Sequence, residues 1–220
     1  MAEARGKGWK RAGIAVAAVI VLLLLAAGWF SYRTRVEPPV IVMTGDTSAA
    51  VENPAPDFFR FGKNWLSHDS SGLWIMYTEG SPFMRGVAHG KLARELMAGQ
   101  EQAFIDRIRT MIPSASYLRF LRYFIYWFNR DLDRHIPEEY REEIYGVSRY
   151  ASAEYDLVGP AYQRMLNYHS AHDIGHALQD YQLAGCTSFA TWSGSSADST
   201  LLVGRNFDFF VGDKFAEDKI

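Results

Sequence analysis

One cysteine, Cys186, occurs in the 220 residues of the chain. A single thiol excludes an intramolecular disulfide and a zinc cluster built from cysteines, which leaves a buried apolar side chain or a nucleophile as its role. A nucleotide-binding loop is also missing, as is any recognisable cofactor motif, so no cofactor is expected and the chemistry falls to side chains. No internal repeat of solenoid length is present. The bulk of the chain has no basic surplus either. Of 23 basic and 25 acidic residues, six and one lie in positions 1–36, which leaves 17 against 24 beyond them, a net charge of −7. That balance argues against nucleic acid as a partner.

What the chain does have, once, is a long uncharged run. Ala12 to Phe30 is nineteen residues rich in Ala, Val, Ile and Leu, preceded by Arg5, Lys7, Lys10 and Arg11 and followed by Arg33 and Arg35. It reads as a transmembrane helix whose amino terminus is cytoplasmic, which makes the protein single-pass and the bulk of the chain extracytoplasmic. A cleaved signal peptide is the competing account. Against it, Leu25-Ala26-Ala27 is a poor small-x-small site and the apolar stretch exceeds a usual signal core. Residues 1–36 are therefore read as cytoplasmic tail and membrane anchor. Residues 37–70, punctuated by Pro38, Pro39, Gly45, Asn53, Pro54 and Pro56, are read as a linker between anchor and domain.

Residues 71–185 read as mainly helical. Leu73 to Tyr77 suits a strand and Gly80-Ser81-Pro82 a turn, while Gly86 and Gly90 permit a helix start to approach a neighbouring backbone. Val87, Leu92, Leu96, Phe104, Ile108, Met111 and Ile112 approximate helical spacing, and Pro113 ends that pattern. Tyr117 to Phe128 is apolar nearly all round, interrupted by Arg119 and Arg122. It reads as a buried core helix, with a surface helix touching the bilayer or an acyl chain as the alternative. Pro137-Glu138-Glu139 resembles a helix first turn. His89 reads as structural rather than catalytic. His172 and His176 have the spacing of a metal pair, but no Glu lies between them and no third ligand is indicated, so no metal is expected.

The surroundings of Cys186 favour the nucleophile. Phe189 to Trp192 suits a strand, Ser193 to Thr200 is a small, polar turn-forming run, and Leu201 to Phe210 suits a second strand. Folding this hairpin about Ala197 places Cys186 roughly opposite Asp208, with Arg205 about one residue pair away. A guanidinium there favours the thiolate, the attacking form. Arg205 and Asp208 are three apart, so either the strand ends near Asn206 or a bulge re-aims one of them.

Gly185-Cys186-Thr187-Ser188, followed by Gly204-Arg205-Asn206-Phe207-Asp208-Phe209, resembles the N-terminal-nucleophile hydrolases that act on linear amides. Within that superfamily the pattern is similar to the penicillin acyltransferase, choloylglycine hydrolase and acid ceramidase group. Gly80-x-Pro82-x-x-x-Gly86-x-x-x-Gly90 resembles a signature upstream of the cut in acyltransferase-like members; its plainer reading is a strand-turn-helix packing motif. The resemblance implies self-cleavage at the Gly185–Cys186 bond, after which the freed α-amine of Cys186 serves as base for its own thiol. Arg205 and Asp208 correspond to the arginine and aspartate near the nucleophile. It implies an α+β chain: transmembrane helix, mainly helical pro-segment, then the first hairpin of an αββα catalytic domain occupying 186–220.

That domain needs many more residues than the 35 after Gly185, so the chain reads as carboxy-terminally truncated. The implied activity is a cysteine-dependent acyltransferase or hydrolase acting on a small-molecule or lipid amide, with a ceramidase-like or N-acylethanolamine-type lipid amidase as the alternative. An inactive membrane-tethered fragment or binding module is the reading from outside the enzyme class.

Overall fold

The computed structural model describes residues 2–42, 45–156, 158–177, 187–206 and 213. The chain is mixed helix and sheet, with antiparallel sheets and one apolar helix at the amino terminus. That helix, α1, runs Ala2–Thr34, and its segment Gly13–Thr34 is long and apolar enough to cross a membrane.

Strands β1 (Glu52–Ala55), β2 (Phe58–Phe61), β3 (Asn64–His68) and β4 (Trp74–Tyr77) form an antiparallel meander in chain order. The linker expected over 37–70 therefore carries three of these strands. The same residues that read as linker punctuation make the turns. Pro56-Asp57 separates the paired Ala55 and Phe58, with Asp57 at φ 55. Gly62-Lys63 separates Phe61 and Asn64, with Gly62 at φ 62, where a side chain at that residue would be strained. Asp69 organises the last turn by accepting from the Ser71 amide at 2.9 Å and the Leu73 amide at 3.0 Å. Strands this short give periodicity little room to show.

The sheet turns one face to α2 (Pro82–Leu92). Phe61 and Leu66 join Phe83, Val87, Ala88, Leu92 and Ala93 in one buried cluster, with Phe59, Trp74 and Met76 packed at its edge. Pro82 opens α2 as expected, after Ser81 in extended conformation. Helix α3 follows over Arg94–Met111 and ends where Pro113 predicts. Helix α4 (Ala115–Phe128) is capped by Ser114, whose side chain accepts from the Tyr117 amide. A 3₁₀ turn over Leu132–His135 leads to α5 (Glu138–Ser148), and another over Ala153–Tyr155 leads to α6 (Ala161–Ala177).

Helices α2 and α5 meet through glycine. A Cβ on Gly86 would lie 1.9 Å from the Glu143 carbonyl oxygen, and one on Gly146 2.4 Å from that of Phe83. The small residues of the Gly86–Gly90 segment thus do permit a close backbone approach, and Arg85 locks it with an ion pair to Glu143 at 2.8 Å. A second buried cluster joins Ile144 and Val147 of α5 to Tyr162, Met165 and Leu166 of α6, and includes Val36.

Val36 matters because it ties α1 to the body. Thr34 is 4% exposed, and its carbonyl accepts from the Gln163 side-chain amide at 3.0 Å. Arg33 pairs with Asp131 at 3.2 Å. The junction between the apolar helix and the body is packed at residues 33–36.

Helix α4 differs from expectation. None of its residues is buried. Tyr126 reaches the body by donating to the Val158 carbonyl at 2.6 Å, while Tyr117, Phe120, Phe124 and Phe128 are exposed. The sequence shows an apolar helix but not what covers it.

Candidate functional site

The hairpin expected after the cysteine is present as β5 (Ser188–Ser193) and β6 (Ser199–Arg205), while residues 207–210 of the expected second strand lie outside the described residues. Cys186, Gly185 and Asp208 lie outside the described residues; Arg205 closes β6. The turn is built from its own polar side chains. Asp198 accepts from the Thr200 amide at 3.1 Å and its hydroxyl at 2.6 Å, and from Ser196 at 3.0 Å. Those hydrogen bonds, led by the Thr200 hydroxyl, hold its carboxyl below the usual range.

The register is one residue away from a symmetric fold about Ala197. Ser188 pairs with Arg205, Phe189 with Gly204 and Ala190 with Val203, and the ladder shifts between Thr191 and Ser193. The cause lies at the turn, where Ser193 and Ser199 adopt φ of 55 and 63. The Asn206 amide continues the pairing by donating to the Thr187 carbonyl at 2.8 Å. Arg205 therefore stands across from Ser188, the second residue after Cys186 in the chain. Gly204 accommodates its partner's ring: a Cβ there would lie 2.3 Å from Phe189.

Apolar side chains project from both faces of this hairpin. Phe189, Trp192, Leu201, Leu202 and Val203 are all exposed, Trp192 by 62%. A two-stranded ribbon is marginal by itself, and this one has no core among the described residues.

The upstream motif is built differently. Gly86 and Gly90 both serve packing, Gly90 against Tyr150 and the Val147 carbonyl. His89, beside them, is half-buried. Burial holds its imidazole below the ordinary value, and nearby His169 adds to that against the opposing pull of Glu143. His169 itself contacts the Met165 carbonyl through Nδ1 at 2.9 Å. The side chains of His172, Asp173 and His176 lie outside the described residues; among those described, no three His, Cys, Asp or Glu are placed to hold a metal ion.

A cluster that sequence reasoning missed lies between α3 and α6. Arg164 is 1% exposed and donates from Nε to Glu101 at 2.6 Å, from Nη1 to Asp156 at 3.0 Å and the Gly159 carbonyl at 2.8 Å, and from Nη2 to the Ser152 carbonyl at 2.7 Å. Tyr168 also donates to Glu101, at 2.9 Å. Burial raises the Glu101 carboxyl against the pull of Arg164 and Tyr168, and burial likewise raises the Tyr168 phenol, with Glu101 adding to it. Each nitrogen of Arg164 is engaged, through four hydrogen bonds, so the group clamps Ser152, Asp156 and Gly159 onto α3. The one signal in sequence is a charge set among Tyr162, Met165 and Leu166.

No family model matches the chain, and no solved structure matches it. An uncharacterized protein of Archaeoglobus fulgidus is 22% identical over 170 residues, which cover 67% of this chain and 26% of that protein. The chain thus spans about a quarter of the length of the relative it matches.

Proposed function

We propose that the chain carries the nucleophile segment of a cysteine-dependent, self-processing amidase or acyltransferase of the N-terminal-nucleophile type. The observation that supports this best is the β5–β6 register. It sets Arg205 across from Ser188, two residues past Cys186 in the chain, so that Thr187-Ser188 of the first motif and Gly204-Arg205-Asn206 of the second belong to one antiparallel hairpin. In processing, the Cys186 thiolate attacks the Gly185 carbonyl carbon and the peptide nitrogen departs with a proton as the Cys186 α-amine. Water then cleaves the Gly185 thioester to a carboxylate and frees the thiol. In turnover, the α-amine takes the thiol proton, sulfur attacks the substrate amide, the amine leaves protonated, and water or an acceptor amine takes the acyl group from the thioester. Arg205 favours the thiolate, and Asp208 positions the new amino terminus. The exposed apolar faces of β5–β6 fit the first ribbon of an αββα domain, whose sheets are covered on both sides.

Helix α1 is proposed to remain as a single-pass anchor with a cytoplasmic amino terminus. The poor small-x-small site at Leu25-Ala26-Ala27 and the length of the apolar segment Gly13–Thr34 support retention over removal as a signal. A lipid amide is the second substrate reading, favoured by the exposed aromatic face of α4 beside α1.

The test of activity offers N-acyl amino compounds, N-acyl sphingosine and N-acylethanolamine to the protein and to Cys186→Ala. Release of free acid or acyl transfer from one class, abolished in the variant, is expected. Equal turnover in both proteins, or none in either, overturns the enzymatic reading.

A further inference from the structure

The segment Gly13–Thr34 is 22 residues long. At ~1.5 Å per residue it reaches ~33 Å, close to the ~30 Å of a bilayer's hydrocarbon core. Its far end touches α4. Phe30 stacks on Trp127 at 5.9 Å and meets Tyr123 edge-on at 6.0 Å, and Trp29 lies 5.9 Å from Trp127. Phe30 is four residues before Thr34, about 6 Å along the helix axis. These contacts therefore fix α4 at the depth where aromatic side chains collect at a membrane surface.

The composition of α4 suits that depth. It has no acidic residue and no buried one. Tyr117, Phe120, Phe124 and Phe128 fall within one face at helical spacing, with Phe128 76% exposed. Tyr123 and Trp127 flank this face toward α1, while Tyr126 points the opposite way to the body. Beside the junction, Arg33, Arg35, Arg130 and Arg134 line a cavity of about 670 Å³ together with Ser31 and Tyr32. Asp131 is shared by three of these guanidiniums, at 3.2, 3.3 and 3.3 Å, and Glu37 answers Arg35 at 2.7 Å. With Asp133 also on the cavity wall, four cations stand against three carboxylates, a small positive excess at headgroup level.

We propose that the Tyr117–Phe128 face of α4 lies in the interface of the same phospholipid bilayer that α1 crosses, with the arginine cavity against the lipid phosphates. This rests on the reading of α1 as a retained span. The continuity of α4 with the apolar helix singles out lipid as the occupant: a helix held against the last turns of a membrane span by three ring contacts along one edge brings its adjoining aromatic face to acyl chains without any further docking. The body is then laid on the membrane by two elements and cannot swing on a tether.

The test uses the full chain carrying Cys186→Ala, so that an introduced cysteine is the sole thiol, in phospholipid nanodiscs. A nitroxide is attached at Phe124→Cys, Phe128→Cys, Leu22→Cys or Glu139→Cys, and its collisions with oxygen, which enters lipid, and with a water-soluble nickel chelate are measured. Leu22→Cys should favour oxygen most strongly, and Phe124→Cys and Phe128→Cys should favour it several-fold over Glu139→Cys. If Leu22→Cys reads the bilayer while the α4 sites match Glu139→Cys, the platform is overturned and the span stands. Shielding of the α4 sites from both reagents also overturns it, since protein, such as a second copy, then covers the face. Leu22→Cys in water, or lost by cleavage, removes the span and the platform together.

Discussion

Helices α2 and α5 touch backbone to backbone through Gly86 and Gly146, whereas the β5–β6 hairpin holds Phe189, Trp192, Leu201 and Val203 out to solvent. The first region is closed by its own chain: a four-stranded sheet, two helices and a buried cluster of seven residues account for it. The second has backbone pairing and a polar turn but no core among the described residues. Stability and the proposed chemistry therefore sit in different parts of the molecule. Substitutions in the helical body should act on folding, and substitutions in the hairpin should act on Cys186 with little effect on folding.

The largest expected effect comes from Arg164→Ala. It leaves Glu101 buried without its cation, and removing one partner of a buried pair costs about 3–5 kcal/mol. Urea unfolding should show that loss, and a loss under ~1 kcal/mol would mean that the clamp is dispensable. Next, Gly86→Ala and Gly146→Ala should each cost about 1–3 kcal/mol as α2 and α5 are pushed apart. Gly99→Ala, in exposed α3 with nothing within 4 Å of the new methyl, should instead gain about 0.5–1 kcal/mol. Equal behaviour at the three sites would contradict the close contact.

Tyr168→Phe should lose about 1–2 kcal/mol with its hydrogen bond to Glu101. Tyr162→Phe should be neutral or stabilising, because the Tyr162 hydroxyl is buried with no partner among the described residues and desolvation has pushed its pKa up to about 12. Calorimetric melting of the pair separates the two.

His89 gives the body a pH dependence. Burial depresses its folded pKa, so the unfolded chain binds the proton first as pH falls below the ordinary histidine value of about 6.5. The His89 contribution is present in full above that value and is lost as pH falls through it toward the lower folded pKa. Urea midpoints at about pH 7.5 and 5.5 should differ less in His89→Leu than in the unaltered protein. The smallest stability effect is expected for Arg205→Ala, within about 0.5 kcal/mol, since Arg205 is an exposed residue at the end of β6. A larger loss would mean that the hairpin is held by its side chains after all.

Several elements are legible in the amino-acid sequence. The apolar run from Ala12 to Phe30, the strand over Leu73 to Tyr77, the stop before Pro113 and the hairpin after Cys186 each rest on a local signal: length, alternation, a breaker or a polar turn. Strands β1 to β3 do not show, because short strands separated by Pro56-Asp57 and Gly62-Lys63 look like a loop rich in turn residues. The setting of α4 is hidden for another reason. Phe120, Phe124 and Phe128 would suit a core or a bilayer equally, and the helix is placed by contacts of Tyr123 and Trp127 with Trp29 and Phe30, nearly a hundred residues away. The Arg164 cluster depends on Glu101, 63 residues away, and no local pattern announces so distant a partner. Of the proposed site, the motif residues and the hairpin are legible in sequence, but the one-residue register offset arises from the backbone of Ser193 and Ser199.

Cys186 is proposed to cut its own chain. Intact-mass measurement with amino-terminal sequencing of the expressed protein, beside Cys186→Ala and Arg205→Ala, tests it directly. A fragment beginning at Cys186 is expected, abolished in Cys186→Ala and slowed in Arg205→Ala. A single uncut chain in all three, or the same fragment persisting in Cys186→Ala, would contradict it.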